Sequence, residues 1–132
     1  MYLNIVDSIN NNNNSNTQLS EKIAKKLNEL SIDGDLVVIY HNYTDGHDGN
    51  YDISFAEMSS IGKGFNFRVD DRILQQIASI GAGSSVTVAD LWRQIGDLES
   101  DGALKRHYYQ DFEIHHEDGG VDILLGLDEK QL

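Results

Sequence analysis

Residues 107–127, HYYQDFEIHHEDGGVDILLGL, decide how the chain is read. Tyr108, Phe112 and Ile114 fall on one parity, and Tyr109, Asp111, Glu113 and His115 fall on the other. Such period-two alternation marks a half-buried strand. Glu117-Asp118-Gly119-Gly120 then supplies carboxylates and unhindered glycines for a tight reversal. Val121, Ile123, Leu125 and Leu127 resume the apolar parity, with Asp122 pointing away. The expectation is a hairpin with one apolar face, packed on the rest of the chain, and one acidic face in water.

Working backwards from the hairpin, Thr87 with Asp90 resembles a capping box, and Leu91, Trp92, Ile95 and Leu98 give the following helix an apolar stripe. Asp101-Gly102 ends it, and Ala103 to His107 could add another helical turn. Upstream, Ile73, Leu74, Ile77, Ala78 and Ile80 predict a second helix, capped by Asp70 or Asp71 and stopped by Gly81. Phe65, Phe67 and Val69 alternate with Asn66 and Arg68, which predicts a meander strand. Before it, Leu36–Tyr43 and Tyr51–Met58 predict another hairpin, whose first strand is apolar on both faces and so central. Leu19, Ile23, Leu27 and Leu30 predict a helix over Gln18–Ser31 behind a Thr17 cap. Asn10–Asn16 reads as a solvated polar loop, and the spacing of Tyr2, Leu3, Ile5, Val6 and Ile9 fits strand and helix equally. The expected architecture is one α+β domain over residues 1–132. It is an antiparallel sheet of about five strands, with three helices packed mainly on one face.

Composition narrows function by exclusion. The 132 residues carry 22 acidic and ten basic side chains, a formal charge of −12 shared by both halves of the chain. Such a surface repels phosphate backbones, which disfavours nucleic acid, and attracts a basic protein. With no cysteine, disulfides and thiolate metal sites are closed. The N-terminal stretch lacks a basic region and no apolar run approaches a membrane span, so a cytoplasmic, membrane-free protein is expected.

Motifs for chemistry are weak. Asp48-x-Asn50-x-Asp52 has the oxygen spacing that opens a calcium loop, but the required glycine and glutamate are replaced by Ile53 and Ser59. His41, His47, His107, His115 and His116 include no pair at zinc-binding helical spacing, and His115 and His116 should point to opposite faces of a strand. Gly81-x-Gly83 has no P-loop lysine. The order helix, link, helix, hairpin is that of a winged helix-turn-helix, yet Asp97, Glu99, Asp101, Glu113, Glu117 and Asp118 would face phosphates. No catalytic residue, cofactor or metal is expected.

What remains is a protein-binding face. Tyr109, Asp111, Glu113, Glu117, Asp118 and Asp122 are expected to form it, an aromatic anchor within a carboxylate field. Small, acidic, cysteine-free domains without catalytic motifs are similar in kind to bacterial immunity proteins. The expected function is therefore an inhibitor of a basic toxin, of nuclease type, held by electrostatic complementarity. An adaptor or regulatory domain of winged-helix type is the first alternative, and a small enzyme with a histidine–carboxylate site the second. Neither the partner's identity nor the oligomeric state follows from the sequence.

Overall fold

The fold is known from a computed structural model that describes residues 2–11, 16–30, 34–43, 51–68 and 74–127. Among the described residues, seven strands and two helices occur in the order β1 (Tyr2–Asn11), α1 (Asn16–Glu29), β2 (Leu36–His41), β3 (Tyr51–Ser59), β4 (Asn66–Arg68), β5 (Leu74–Ile80), α2 (Val88–Ser100), β6 (Arg106–His115) and β7 (Val121–Leu127). The strands form one sheet, ordered β4-β1-β3-β2-β6-β7-β5, and every pairing is antiparallel. The expectation of about five strands and three helices is thus corrected to seven strands and, among the described residues, two helices.

Two segments account for the difference. The N-terminal stretch is strand β1, which enters between β3 and β4, so β4 pairs with β1 and not with β3. Leu74–Ile80, expected as a helix, is edge strand β5 on β7. Its ladder shifts register between Gln76 and Ala78. An extra residue there lets both Ile77 and Ala78 pack towards the core, with Ile80 two residues on paired to Val121. A bulged strand therefore writes the apolar spacing of a helix, and pairing with an already formed sheet outweighs the modest intrinsic preference. Without that helix there is no helix-turn-helix, and the winged-helix reading falls with it.

Cross-strand partners share a face, so the register assigns every side chain. Val38 pairs with Phe55 on one side and Glu113 on the other, and Glu113 pairs with Ile123. This is the helix face. Ile23, Leu27 and Leu30 at the end of α1 and beyond pack on Leu36, Val38, Ile53 and Phe55. Val88, Leu91, Trp92 and Ile95 of α2 pack on Ile123, Leu125 and Leu127. Leu98, expected in the buried stripe, is exposed. Each fully buried large apolar side chain here contributes about 1.5–3 kcal/mol. Thr87 and Asp90 do form the capping box, each accepting from the other's backbone N–H. That carboxylate occupies the helix N-terminus, which would otherwise suit an anion. The opposite face carries a second cluster, Leu3, Val37, Ile39, Ala56 and Phe112, with Ile5, Ile114 and Leu124 packed against it.

The C-terminal hairpin forms where expected, but its parity is different. His115 pairs with Val121 across the 116–120 connection, so Glu113 faces the same way as Ile123, and Asp111 the same way as Leu125. Phe112 and Ile114 share a face with Leu124 and Asp122 instead. The parity expected to be acidic and solvated is the one covered by the helices. Strand β6 lies between β2 and β7 in the sheet interior and is buried on both faces.

Candidate functional site

Asp111 and Glu113, expected on the surface, are interior: Asp111 is 0% exposed and Glu113 2%. Each is met by three donors. Asp111 Oδ2 accepts from Tyr43 Oη (2.5 Å) and Arg106 Nη2 (2.5 Å), and its Oδ1 accepts from the Gly126 amide (3.1 Å). Glu113 Oε2 accepts from Tyr40 Oη (2.5 Å) and Trp92 Nε1 (2.5 Å), while Oε1 lies 2.8 Å from His115 Nε2. A buried carboxylate is tolerable only when its lone pairs are filled in this way. These two side chains therefore staple β2, β6, β7 and α2 together, and neither is available to a partner molecule.

The local backbone explains how Arg106 reaches Asp111. Between the pairs Arg106–Leu127 and Asp111–Leu125, β6 uses five steps where β7 uses two, so 107–110 bulge out. Tyr108 takes φ 57° there, a left-handed conformation costly for an aromatic residue. A Cβ at Gly126 would stand 2.8 Å from the Gln110 carbonyl oxygen, so the bulge and the glycine belong together. The bulge lays the Tyr108 ring 4.4 Å from the Arg106 guanidinium carbon, with the Trp92 ring 5.6 Å from it, and the Tyr108 hydroxyl bonds Glu99. Burial is the largest single influence on Arg106 and lowers its pKa, but Asp111, with Tyr43 and Tyr108, more than offsets it, so the net shift is upward. Burial, and then the nearby carboxylates, push the Tyr40 and Tyr43 phenols far above their ordinary range, so both remain neutral donors.

Glu117 and Asp118 do lie exposed on the β6–β7 turn. The Tyr109 side chain lies outside the described residues. Asp122 is half-buried, where Ser79 Oγ donates to its Oδ1 (2.8 Å) and His116 Nε2 lies 2.8 Å from its Oδ2. His116 Nδ1 is 2.9 Å from Asp35 Oδ2, so one imidazole bridges two carboxylates from different strands' ends. Glu117 Oε1 accepts from the Gly34 amide, which ties the turn to the start of β2. Asp35, which the sequence reading passed over, thus joins Glu117, Asp118 and Asp122 at one end of the sheet. It sits 81 positions from His116, and no local pattern links them.

Bonds to Asp122 and then Asp35 raise the His116 pKa above 6.5, and His116 and Ser79 lower that of Asp122. His116 therefore contributes stability fully below about pH 6.5, and loses it as pH rises through the raised value. Asp122 contributes above about pH 4 and loses its share on acidification through the lowered value. His116→Gln should flatten the alkaline decline in stability, read as urea midpoints between about pH 6 and 8. An unchanged slope would show that the bridge carries no folding energy.

Among the described residues, His41 and His115 do not come together. His41 and His115 sit at opposite ends of β2, since His115 pairs with Leu36 while His41 ends that strand. His41 Nε2 is 2.7 Å from Ser54 Oγ, which in turn is 3.0 Å from Ser8 Oγ, and burial lowers the His41 pKa. His47, Asp48 and Asn50 lie outside the described residues. As alternation predicts, His115 reaches Glu113 on the helix face while His116 reaches Asp122 on the other. Among the described residues, no group of three or more His, Asp or Glu is placed to hold a metal ion, and no helix is long and apolar enough to cross a membrane.

The same end of the sheet carries two bare apolar side chains that sequence reading had missed. Phe65 is 89% exposed and Ile61 63%, both on the 60–65 connection from β3 to β4. Comparison with protein-family models, curated proteins and solved structures finds no match for the chain.

Proposed function

We propose that this chain is a non-catalytic inhibitor that binds a basic protein, of the immunity-protein type directed at a nuclease-like toxin. The supporting observation is the carboxylate cluster of Asp35, Glu117, Asp118 and Asp122 gathered from β2, β6 and β7 at one end of the sheet. Between Arg106 and Lys130 the chain has no lysine or arginine, and His116, the imidazole bonded within the cluster, engages only Asp35 and Asp122 and leaves Glu117 and Asp118 exposed. With −12 overall, the long-range field adds to the local one and draws in a cationic surface. Asp111 and Glu113 take no part in this contact. Their charges are spent inside the fold, and the binding set narrows to the turn and its neighbours.

The electrostatic origin of the affinity makes it salt-sensitive. The Glu117→Lys/Asp118→Lys double variant should slow association with the basic partner co-purified from the native cell by about tenfold at low salt. The difference should shrink as ionic strength rises past physiological, where the Debye length falls below about 8 Å. Stopped-flow association at two salt concentrations reads this directly. Equal rates for wild type and variant at low salt would remove the turn from the interface.

A further inference from the structure

We infer that the 60–65 loop is a preformed apolar anchor, and that the partner of this protein carries an apolar recess rimmed by cationic side chains. The inference rests on the reading of the chain as a binder of basic proteins and adds what the acidic turn alone lacks, a desolvated centre.

Exposed apolar side chains on a mobile loop would mean little, but this loop is tied down. Asn4, only 4% exposed, clamps it from both sides of its amide. Its Nδ2 donates to the Ile61 carbonyl (3.0 Å), and its Oδ1 accepts from the Lys63 amide (2.9 Å). Ile61 N–H also donates to Ser59 Oγ (3.1 Å), Asn66 Nδ2 to the Gly64 carbonyl (2.9 Å), and Ile5 N–H to the Phe65 carbonyl (2.9 Å). Gly64 supplies the positive φ of 57° that the turn needs. A buried asparagine and five hydrogen bonds thus fix a backbone whose two apolar side chains, Phe65 and Ile61, stay largely in water. Binding through such a loop loses little further conformational entropy, which is the advantage of preorganisation.

The register gives the setting. Ser59, Leu36, His115 and Val121 end or begin β3, β2, β6 and β7 at the same edge of the sheet. Strands lie about 4.8 Å apart, and four to five spacings separate the β4 line, where Phe65 bonds Ile5, from β6 and β7, so Phe65 and the acidic turn are roughly 20–25 Å from each other. That distance fits within one standard interface, an apolar centre beside a charged rim. A second copy of this chain is a poor occupant, because each copy brings −12 and the same carboxylates.

Three peptides test the assignment by amide chemical-shift titration of the labelled full chain: a helical peptide with leucine and lysine faces, its lysine/serine counterpart of equal charge, and a leucine/glutamate peptide. The leucine/lysine peptide should bind at least tenfold tighter than the lysine/serine one and shift residues 61–65 together with 117–118. Phe65→Ser/Ile61→Ser should erase that tenfold advantage and leave lysine/serine binding unchanged. Both side chains are exposed, so the variant folds. Equal affinity for the two cationic peptides would overturn the anchor while leaving the charge reading intact. Binding of neither would sink the charge reading. Binding of the leucine/glutamate peptide as tightly as the leucine/lysine one would overturn the cationic rim. Concentration-dependent self-association of the wild type, absent in the double variant, would assign the loop to a second copy instead.

Discussion

Asp111→Ala should cost about 3–5 kcal/mol of folding stability, although an aspartate in a strand sequence ordinarily reads as a surface residue. The substitution removes the acceptor of Tyr43, Arg106 and the Gly126 amide at once. It leaves the Arg106 guanidinium, 11% exposed, with only the longer contact to Glu99 (3.8 Å) as counter-charge. Among the described residues Arg106 Nε already lacks a hydrogen-bond partner, so the variant adds to a guanidinium that is incompletely satisfied from the start. The loss would be read as a fall in the urea midpoint at constant m. The pair as a whole is worth far less than this, because both ions were desolvated to make it. Asp111→Leu combined with Arg106→Met should therefore recover much of the loss. A single variant as stable as wild type would mean that Asp111 is not held inside the sheet.

This result bears directly on how the chain can be read. Period-two alternation located β6 and β7 and the turn between them, and the turn carboxylates Glu117 and Asp118 are indeed exposed. Alternation says which residues share a face and leaves open which face meets water. That choice was made by the partners of Asp111 and Glu113. Arg106 arrives through a bulge five residues upstream, Tyr40 and Tyr43 come from β2 and the residues just after it, and Trp92 from α2. None of these can be paired with a carboxylate from sequence spacing. The five-residue connection 116–120 also set the hairpin register, which puts Ile123 opposite Glu113 and not opposite an apolar residue of β6.

The missed strands and the missed anchor have related causes. Strand β5 hides behind one extra residue at its bulge, which turns alternation into a helix-like stripe. Strand β1 gave an ambiguous pattern because its own register shifts between Ile5 and Asp7. Phe65 looked like the first inward residue of a strand that alternates through Phe67. Its carbonyl does bond the Ile5 amide, yet its ring remains in water. In each case a backbone irregularity, invisible in residue types, decided where the side chain went. The capping box of α2 and the β2–β3 hairpin were legible because a few neighbouring residues determine them.

Glu113→Ala should be comparably severe, at roughly 3–5 kcal/mol, and should act on a particular joint. Its Oε2 is the acceptor shared by Tyr40 of β2 and Trp92 of α2, so the carboxylate is the polar link between helix and sheet. Removing it strands three donors, counting His115, and each unmet buried donor costs about 1–3 kcal/mol. The apolar seat of α2, with Ile95 on Ile123 and Leu125, is untouched. The helix should therefore stay formed but dock more loosely. Hydrogen exchange separates the two possibilities, because amides in α2 should lose protection more than those in β2 and β3, where Val38, Ile53 and Phe55 pack independently. Trp92→Phe, which deletes one donor and keeps a ring edge-on to Tyr40, should cost about 1–2 kcal/mol. If Glu113→Ala were no worse than Trp92→Phe, the carboxylate would be a passenger of the indole bond and not the joint itself.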